Sequence, residues 1–211
     1  MLIPIWGASG VGKTTLALAL SKALIAEGKT VLLISPEPYS ELSAIVGVKI
    51  PTEQSLQTAI RTGNLKQSVF QKDDCFYILA APSCHDCFDD NYSAEQVKAL
   101  LTLAQTTFDT VIVDCPTEMD NLVSAWALSL ADKVLLCIGG EFRGAMWYKS
   151  AERAIAAIKH KTLFVGMEIS DAFDYEALYN FLEQKPNYHI PHKQKKNYDK
   201  AILTILEVTA N

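Results

Sequence analysis

Near its start the chain reads Gly7-Ala8-Ser9-Gly10-Val11-Gly12-Lys13-Thr14, which sets three glycines, a lysine and a hydroxyl residue at fixed intervals. Glycines permit a tight turn whose backbone N–H groups point inward, and a helix starting at its end adds partial positive charge. Such a turn grips phosphate oxygens. Lys13 is placed to reach β and γ phosphates, the Thr14 hydroxyl to ligate Mg²⁺, and Thr15 to donate to an α-phosphate. A connection made only for packing has no need of Lys and Thr in register with the glycines. A second element agrees with the first. Val111-Ile112-Val113-Asp114 is an apolar strand ending in a carboxylate, suited to holding the Mg²⁺ shell. The expected ligands are ATP or ADP with Mg²⁺, cradled by Gly7, Ala8, Ser9, Gly10, Val11, Gly12, Lys13, Thr14 and Thr15, with Thr14 and Asp114 on the metal.

These residues require a strand before the turn and a helix after it, and the pattern supplies both. Leu2 to Trp6 reads as a strand, Lys13 to Glu27 as a helix, and Gly28 as its C-cap. β-rich runs then alternate with stretches of helical period, the signature of parallel βαβ units. Strands are expected at 31–34, 76–80, 111–113, 134–138 and 163–165. Helices are expected at 40–46, 53–61, 93–107 with Ser93 as N-cap, 121–130, 145–158, 175–182 and 198–208. The stretch 186–191 reads as irregular. The fold class is α/β: a three-layer, mostly parallel, doubly wound sheet over residues 1–211 as a single domain.

With 211 residues, 49% hydrophobic and 20% charged, the composition is that of a globular protein rather than a disordered one. A net charge of −5 argues against general attraction to nucleic acid or anionic membrane. No apolar run approaches the ~20 residues that span a bilayer, and the first residues lack the features of a signal peptide. The five cysteines are an odd number, which fits reduced thiols in a cytoplasmic protein better than a disulfide framework.

On Gly7 to Thr15, Gly28-Lys29-Thr30-Val31-Leu32-Leu33-Ile34, Ile78-Leu79-Ala80-Ala81-Pro82, Phe108 to Pro116 and Ala131-Asp132-Lys133-Val134-Leu135, the chain resembles the deviant-Walker ATPases of the ParA/MinD group. Within it, the resemblance is greatest to TadZ/CpaE-like proteins of pilus assembly, and it covers nearly the whole chain. The resemblance implies the P-loop NTPase fold of the SIMIBI class and a homodimer closed face to face by ATP and reopened by hydrolysis. It also implies protein partners in an envelope assembly.

The sequence departs from that family at informative places. The signature lysine, which crosses to the partner's phosphates, is replaced by Ala8. Losing a cation aimed at the transferring phosphoryl group slows hydrolysis, unless Arg143 or Arg153 substitutes. The family's paired aspartates after the second strand become Ser35 and Glu37, which leaves Glu37 to orient water, with Lys13 and Asp114 completing the catalytic set. Asp114 and Pro116 match the segment that senses the γ-phosphate. The asparagine that reads adenine has no match in Val165-Gly166-Met167-Glu168.

Three further features admit other functions. Cys84-His85-Asp86-Cys87 has metal-ligand spacing, and a dimer would bring two pairs together in a metallocentre-maturation ATPase; reduced loop cysteines are the simpler reading. His192, Lys193, Lys195, Lys196 and Lys200 concentrate positive charge that a DNA-partition ATPase or a lipid contact would use, but a solvated face is favoured. The 198–208 helix offers Ile202, Ile205 and Leu206 for docking on the domain. Trp126 is expected in the core rather than at a dimer face.

Overall fold

The computed structural model describes residues 1–39, 41–83, 92–139, 141–168, 170–192 and 201–207. The chain alternates strands and helices as expected. The first strand, β1 (Leu2–Gly7), leads through the glycine turn into α1 (Lys13–Ala26) and then β2 (Val31–Ile34). Three short helices follow, α2 (Glu41–Val46), α3 (Leu56–Thr62) and α4 (Leu65–Ser68), before the strands β3 (Phe70–Asp73) and β4 (Phe76–Leu79). The second half runs α5 (Ala94–Thr107), β5 (Thr110–Asp114), α6 (Leu122–Leu130), β6 (Val134–Gly139), α7 (Glu141–Ile158), β7 (Thr162–Met167), α8 (Tyr175–Phe181) and β8 (Tyr188–Ile190).

All eight strands join one sheet in the order β3-β4-β2-β5-β1-β6-β7-β8. Every pairing is parallel except that of β3 with β4. Side chains alternate across a strand, so each strand feeds two cores. Leu2, Trp6, Leu32, Ile34, Val111 and Leu136 face one helical layer together with Leu101, Ala127 and Ile155 from α5, α6 and α7. Ile3, Ile5, Leu33, Ile112 and Leu135 face the other layer with Leu16, Leu20 and Leu24 of α1. Residues 201–207 are helical, and Ile202, Ile205 and Leu206 are buried in that second core, as the docking expectation required.

Local signals behave as their chemistry dictates. Ser93 caps α5 and forms a reciprocal capping box with Gln96, and Gly28 turns left-handed (φ 79°) after α1. Two strands escaped the sequence pattern. Residues 188–190 form β8 instead of irregular chain, because pairing with β7 compensates for a run too short and too polar to show alternation. β3 is a largely exposed edge strand with polar Gln71, Lys72 and Asp73, so it carries no apolar stripe to read. Helix α7 begins at Glu141, not Ala145, because Gly144 continues the helix instead of breaking it. A side chain there would meet the Gly139 carbonyl at 1.5 Å, so glycine is the residue that lets α7 close on the end of β6. Among the described residues no helix is long and apolar enough to cross a membrane.

Candidate functional site

The glycine turn occupies the centre of the sheet's carboxyl edge, between the ends of β5 and β6, where ligands bind in open α/β sheets. Its shape follows from its glycines. Gly7 lies so close to β6 that a Cβ would sit 2.5 Å from the Cys137 carbonyl oxygen, and Gly10 and Gly12 take left-handed conformations at φ 74° and 92°. Gly12 caps α1 without a side chain, and no acidic residue lies in the helix's first turn. The positive end of α1 therefore faces the turn uncompensated, as an anion site requires. Ala8 and Val11 are buried and anchor the turn, while Ser9, Gly10 and Thr15 are exposed.

Two side chains leave this turn toward the strand ends. Lys13 Nζ donates to the Ala8 carbonyl at 2.9 Å and to Thr117 Oγ1 at 3.2 Å. Thr14 Oγ1 donates to Asp114 Oδ2 at 2.6 Å. Asp114 ends β5, which is paired to β1 through Ile5, so sheet register brings the carboxylate to the start of α1. Its other oxygen, Oδ1, is buried without a hydrogen-bond partner. Burial raises the Asp114 pKa above its ordinary value, against the Thr14 hydrogen bond and the Lys13 charge, which lower it.

A hydroxyl beside a buried carboxylate with a spare oxygen is a donor set that suits a hard divalent cation. Among the described residues no group of three or more His, Cys, Asp or Glu side chains forms a complete metal cage. A cation at Thr14 and Asp114 would take its other ligands from phosphate and water, the usual arrangement for Mg²⁺.

Glu37 sits in a cleft beside this pair, lined also by Tyr39, Pro116 and Glu118. Burial raises its pKa first, then repulsion from Glu118, while Lys13 acts in the opposite sense. Asn121 Nδ2 donates to the Pro36 carbonyl at 3.2 Å and ties this segment to the start of α6. The structure thus gathers Lys13, Thr14, Asp114 and Glu37 at one edge. Arg143 and Arg153 are exposed on α7, and no hydrogen bond or ion pair among the described residues ties either to the turn.

Glu118 and Thr117 were not singled out from the sequence. Lys13 and Thr117 meet across 104 positions, and only the Pro116 that precedes them gave a signal. Trp147 was missed too: its Nε1–H donates to the Thr117 carbonyl at 3.0 Å and pins the same segment to α7. Met167 passes beneath the turn, its Cε 3.1 Å from where a Gly12 Cβ would lie. Glu168 follows β7, and its Oε1 lies 3.4 Å from His189 Nδ1.

The remaining expectations separate cleanly. Cys115 and Cys137 are buried thiols whose pKa burial pushes up to about 12, so they are structural. Cys84 and Cys87 lie outside the described residues, as do Lys193, Lys195, Lys196 and Lys200. Trp126 is half-buried against the first core, with Lys98 Nζ 5.3 Å from its ring centroid.

An AAA domain family model (AAA_31) matches residues 7–163. The chain is 30% identical over 134 residues to maintenance of carboxysome distribution protein A of Synechococcus elongatus, covering 60% of this chain and 53% of that protein. It is 26% identical over 160 residues to septum site-determining protein MinD of Bacillus subtilis, covering 74% and 58%. The chain therefore spans about half the length of the curated relatives it matches. In fold it matches MinD of Pyrococcus horikoshii solved with Mg-ADP, at a TM-score of 0.73 and 17% identity over 98% of this chain and 94% of that one. With the family model spanning most of its length, the chain belongs to the AAA domain family and is a P-loop ATPase of the ParA/MinD type.

Proposed function

We propose that residues 1–211 form a single nucleotide-binding domain that binds ATP and ADP with Mg²⁺ and acts as a slow molecular switch. In this reading it works in the cytoplasm as a homodimer and localises or assembles a cell-envelope machine, such as a pilus or secretion system, through protein contacts. The observation that carries the nucleotide reading is the Thr14–Asp114 pair, 2.6 Å apart, with Asp114 Oδ1 left without a partner. Gly7 to Thr15 supply the inward N–H groups. Lys13 exchanges its two neutral acceptors for anionic ones, a stronger charge-assisted contact. When bound, Mg-ATP supplies the transferable phosphoryl group and the cation that neutralises its charge.

Switching, rather than fast turnover, follows from two side chains. Ala8 carries no cation for a partner's site. Glu37 holds its proton more tightly than an ordinary carboxyl, so less of it is available as the base that orients water. Light scattering of the purified chain tests the switch: Mg-ATP should convert monomer to dimer and ADP should not. A fluorescent fusion tests the envelope role, which fails if the protein spreads evenly through the cytoplasm whatever its nucleotide state.

The similarity to a carboxysome-distribution protein favours a second reading, in which the switch distributes a cargo over DNA. Binding to nonspecific DNA that requires Mg-ATP and weakens steeply with salt would select that reading over the envelope one.

A further inference from the structure

The helical layer over Trp6 carries a groove that nucleotide binding does not use. It runs between α6 and α7, holds about 510 Å³, and is lined mainly by apolar groups including Trp6, Leu128, Ala154, Ala157 and Ile158. Small side chains on both walls let a third helix approach closely. At its floor Trp6 is only 2% exposed, and its indole Nε1–H finds no acceptor among the described residues. A sealed donor without a partner is rare in folded proteins and calls for a reason.

The two ends of the groove differ in charge and connection. At one end lie His160 and Lys161. Lys161 Nζ is fixed there by donating to the Ser129 and Ala131 carbonyls at 2.7 and 3.2 Å. In a chain of net charge −5 this basic end is a local exception, and it favours an acidic occupant. At the other end lie Glu118 and Met119. They directly follow Thr117, whose hydroxyl accepts from Lys13 and whose carbonyl accepts from Trp147. Trp147 in turn packs edge-on against Trp6, with ring centroids 4.9 Å apart. The phosphate-loop lysine and the groove thus share one short segment, residues 117–119.

We infer that this groove docks an amphipathic helix of a partner protein, with an apolar anchor against Leu128 and Ile158, an acceptor for Trp6 Nε1, and a carboxylate toward Lys161. Lys13 holds the 117–119 segment down through Thr117 in the structure described. When Lys13 turns to phosphate, that hold is released, the donor of Trp6 is uncovered and the partner binds more tightly. This coupling rests on the nucleotide reading proposed above; the groove's occupant does not.

The probe is a displayed library of 16-residue helical peptides with leucine fixed at i and i+4. It is selected on the full chain with Mg-ATP and counter-selected on the Ala157→Arg variant, which blocks an exposed wall without touching the sheet core. Enriched peptides should carry Asp or Glu and bind wild type at least tenfold more tightly than Ala157→Arg. They should also shift the indole N–H resonance of Trp6, assigned with Trp6→Phe, more than that of Trp126. Omitting Mg-ATP should weaken them at least tenfold. Peptides that bind both proteins equally, lack acidic residues or leave the Trp6 resonance in place overturn the docking site. So does a dimer that Ala157→Arg disrupts, since a second copy would then fill the groove. Affinity indifferent to Mg-ATP, while a fluorescent nucleotide still binds, overturns the coupling. Absence of nucleotide binding strikes the earlier reading instead, and the Ala157→Arg comparison still decides the occupant.

Discussion

Replacing Asp114 by asparagine should make the free protein more stable and its nucleotide complex weaker. The carboxyl is 4% exposed, with Oδ2 accepting from Thr14 and Oδ1 lacking a partner. Asparagine keeps an acceptor for Thr14 and still buries one unpaired polar atom, so the polar penalty of about 1–3 kcal/mol is largely unchanged. What disappears is the desolvated charge. Its full cost is several kcal/mol, and Thr14 and Lys13 already offset part of it, which leaves a net gain of about 1–2 kcal/mol. For a chain of this size each kcal/mol moves Tm by about 2–4 °C, so the variant should melt about 3–6 °C higher. Mg-ATP at about 100 times its Kd should stabilise wild type by about 2.7 kcal/mol, and the variant should lose at least half of that at equal concentrations.

The pH dependence has a fixed sign. Because the folded carboxyl has a pKa above the ordinary 3.8, the folded chain binds its proton more tightly than the unfolded chain does. Its contribution to stability is present below 3.8 and is lost as pH rises through the raised value. The gap between variant and wild type should therefore open across that window and be absent at lower pH. Thermal melts across pH, with and without Mg-ATP, read both effects. A variant that melts below wild type at neutral pH, or keeps the whole Mg-ATP shift, would refute the reasoning.

Gly144→Ala should destabilise by about 3 kcal/mol, the upper range for overpacking, because its Cβ would meet the Gly139 carbonyl at 1.5 Å. Gly63→Ala, in open space at φ 65°, should cost about 1–2 kcal/mol in denaturant titrations and serves as the comparison. Glu37→Gln should leave nucleotide affinity within about threefold while lowering hydrolysis by about 100-fold, the scale of general-base catalysis. Wild-type turnover should fall with acid at a midpoint above 4.5, and the variant should lack that limb. Brief alkylation of the native chain should leave Cys115 and Cys137 unlabelled in a peptide mass map, since burial pushes both thiols up to about 12.

The parts of this fold legible in the sequence are those where one local rule decides. Gly10 and Gly12 need left-handed backbone, Ser93 needs a capping partner, and Val111 to Asp114 form a buried strand that can only read as apolar. β8 was illegible because its three residues owe their extended state to β7, and β3 because an exposed edge strand has no apolar alternation. At the site, the turn and Asp114 could be named in advance. The contacts of Thr117 with Lys13 and Trp147 could not, since sequence spacing says nothing of residues that sheet order brings together across 104 and 30 positions. The Trp6 donor was equally hidden: in sequence it is one more apolar residue of β1, and only the packing of α6 and α7 leaves its N–H without an acceptor.

The central claim is that the turn from Gly7 to Thr15 is a nucleotide site completed by Asp114. Equilibrium titration of a fluorescent ATP analogue with Mg²⁺, on wild type and Lys13→Ala, tests it most directly. The account predicts saturable binding to wild type at one nucleotide per chain, weakened at least 100-fold in the variant, about 2.7 kcal/mol, as expected when a charge-assisted contact is lost. Equal affinity in the two proteins, or no binding to wild type, would contradict it.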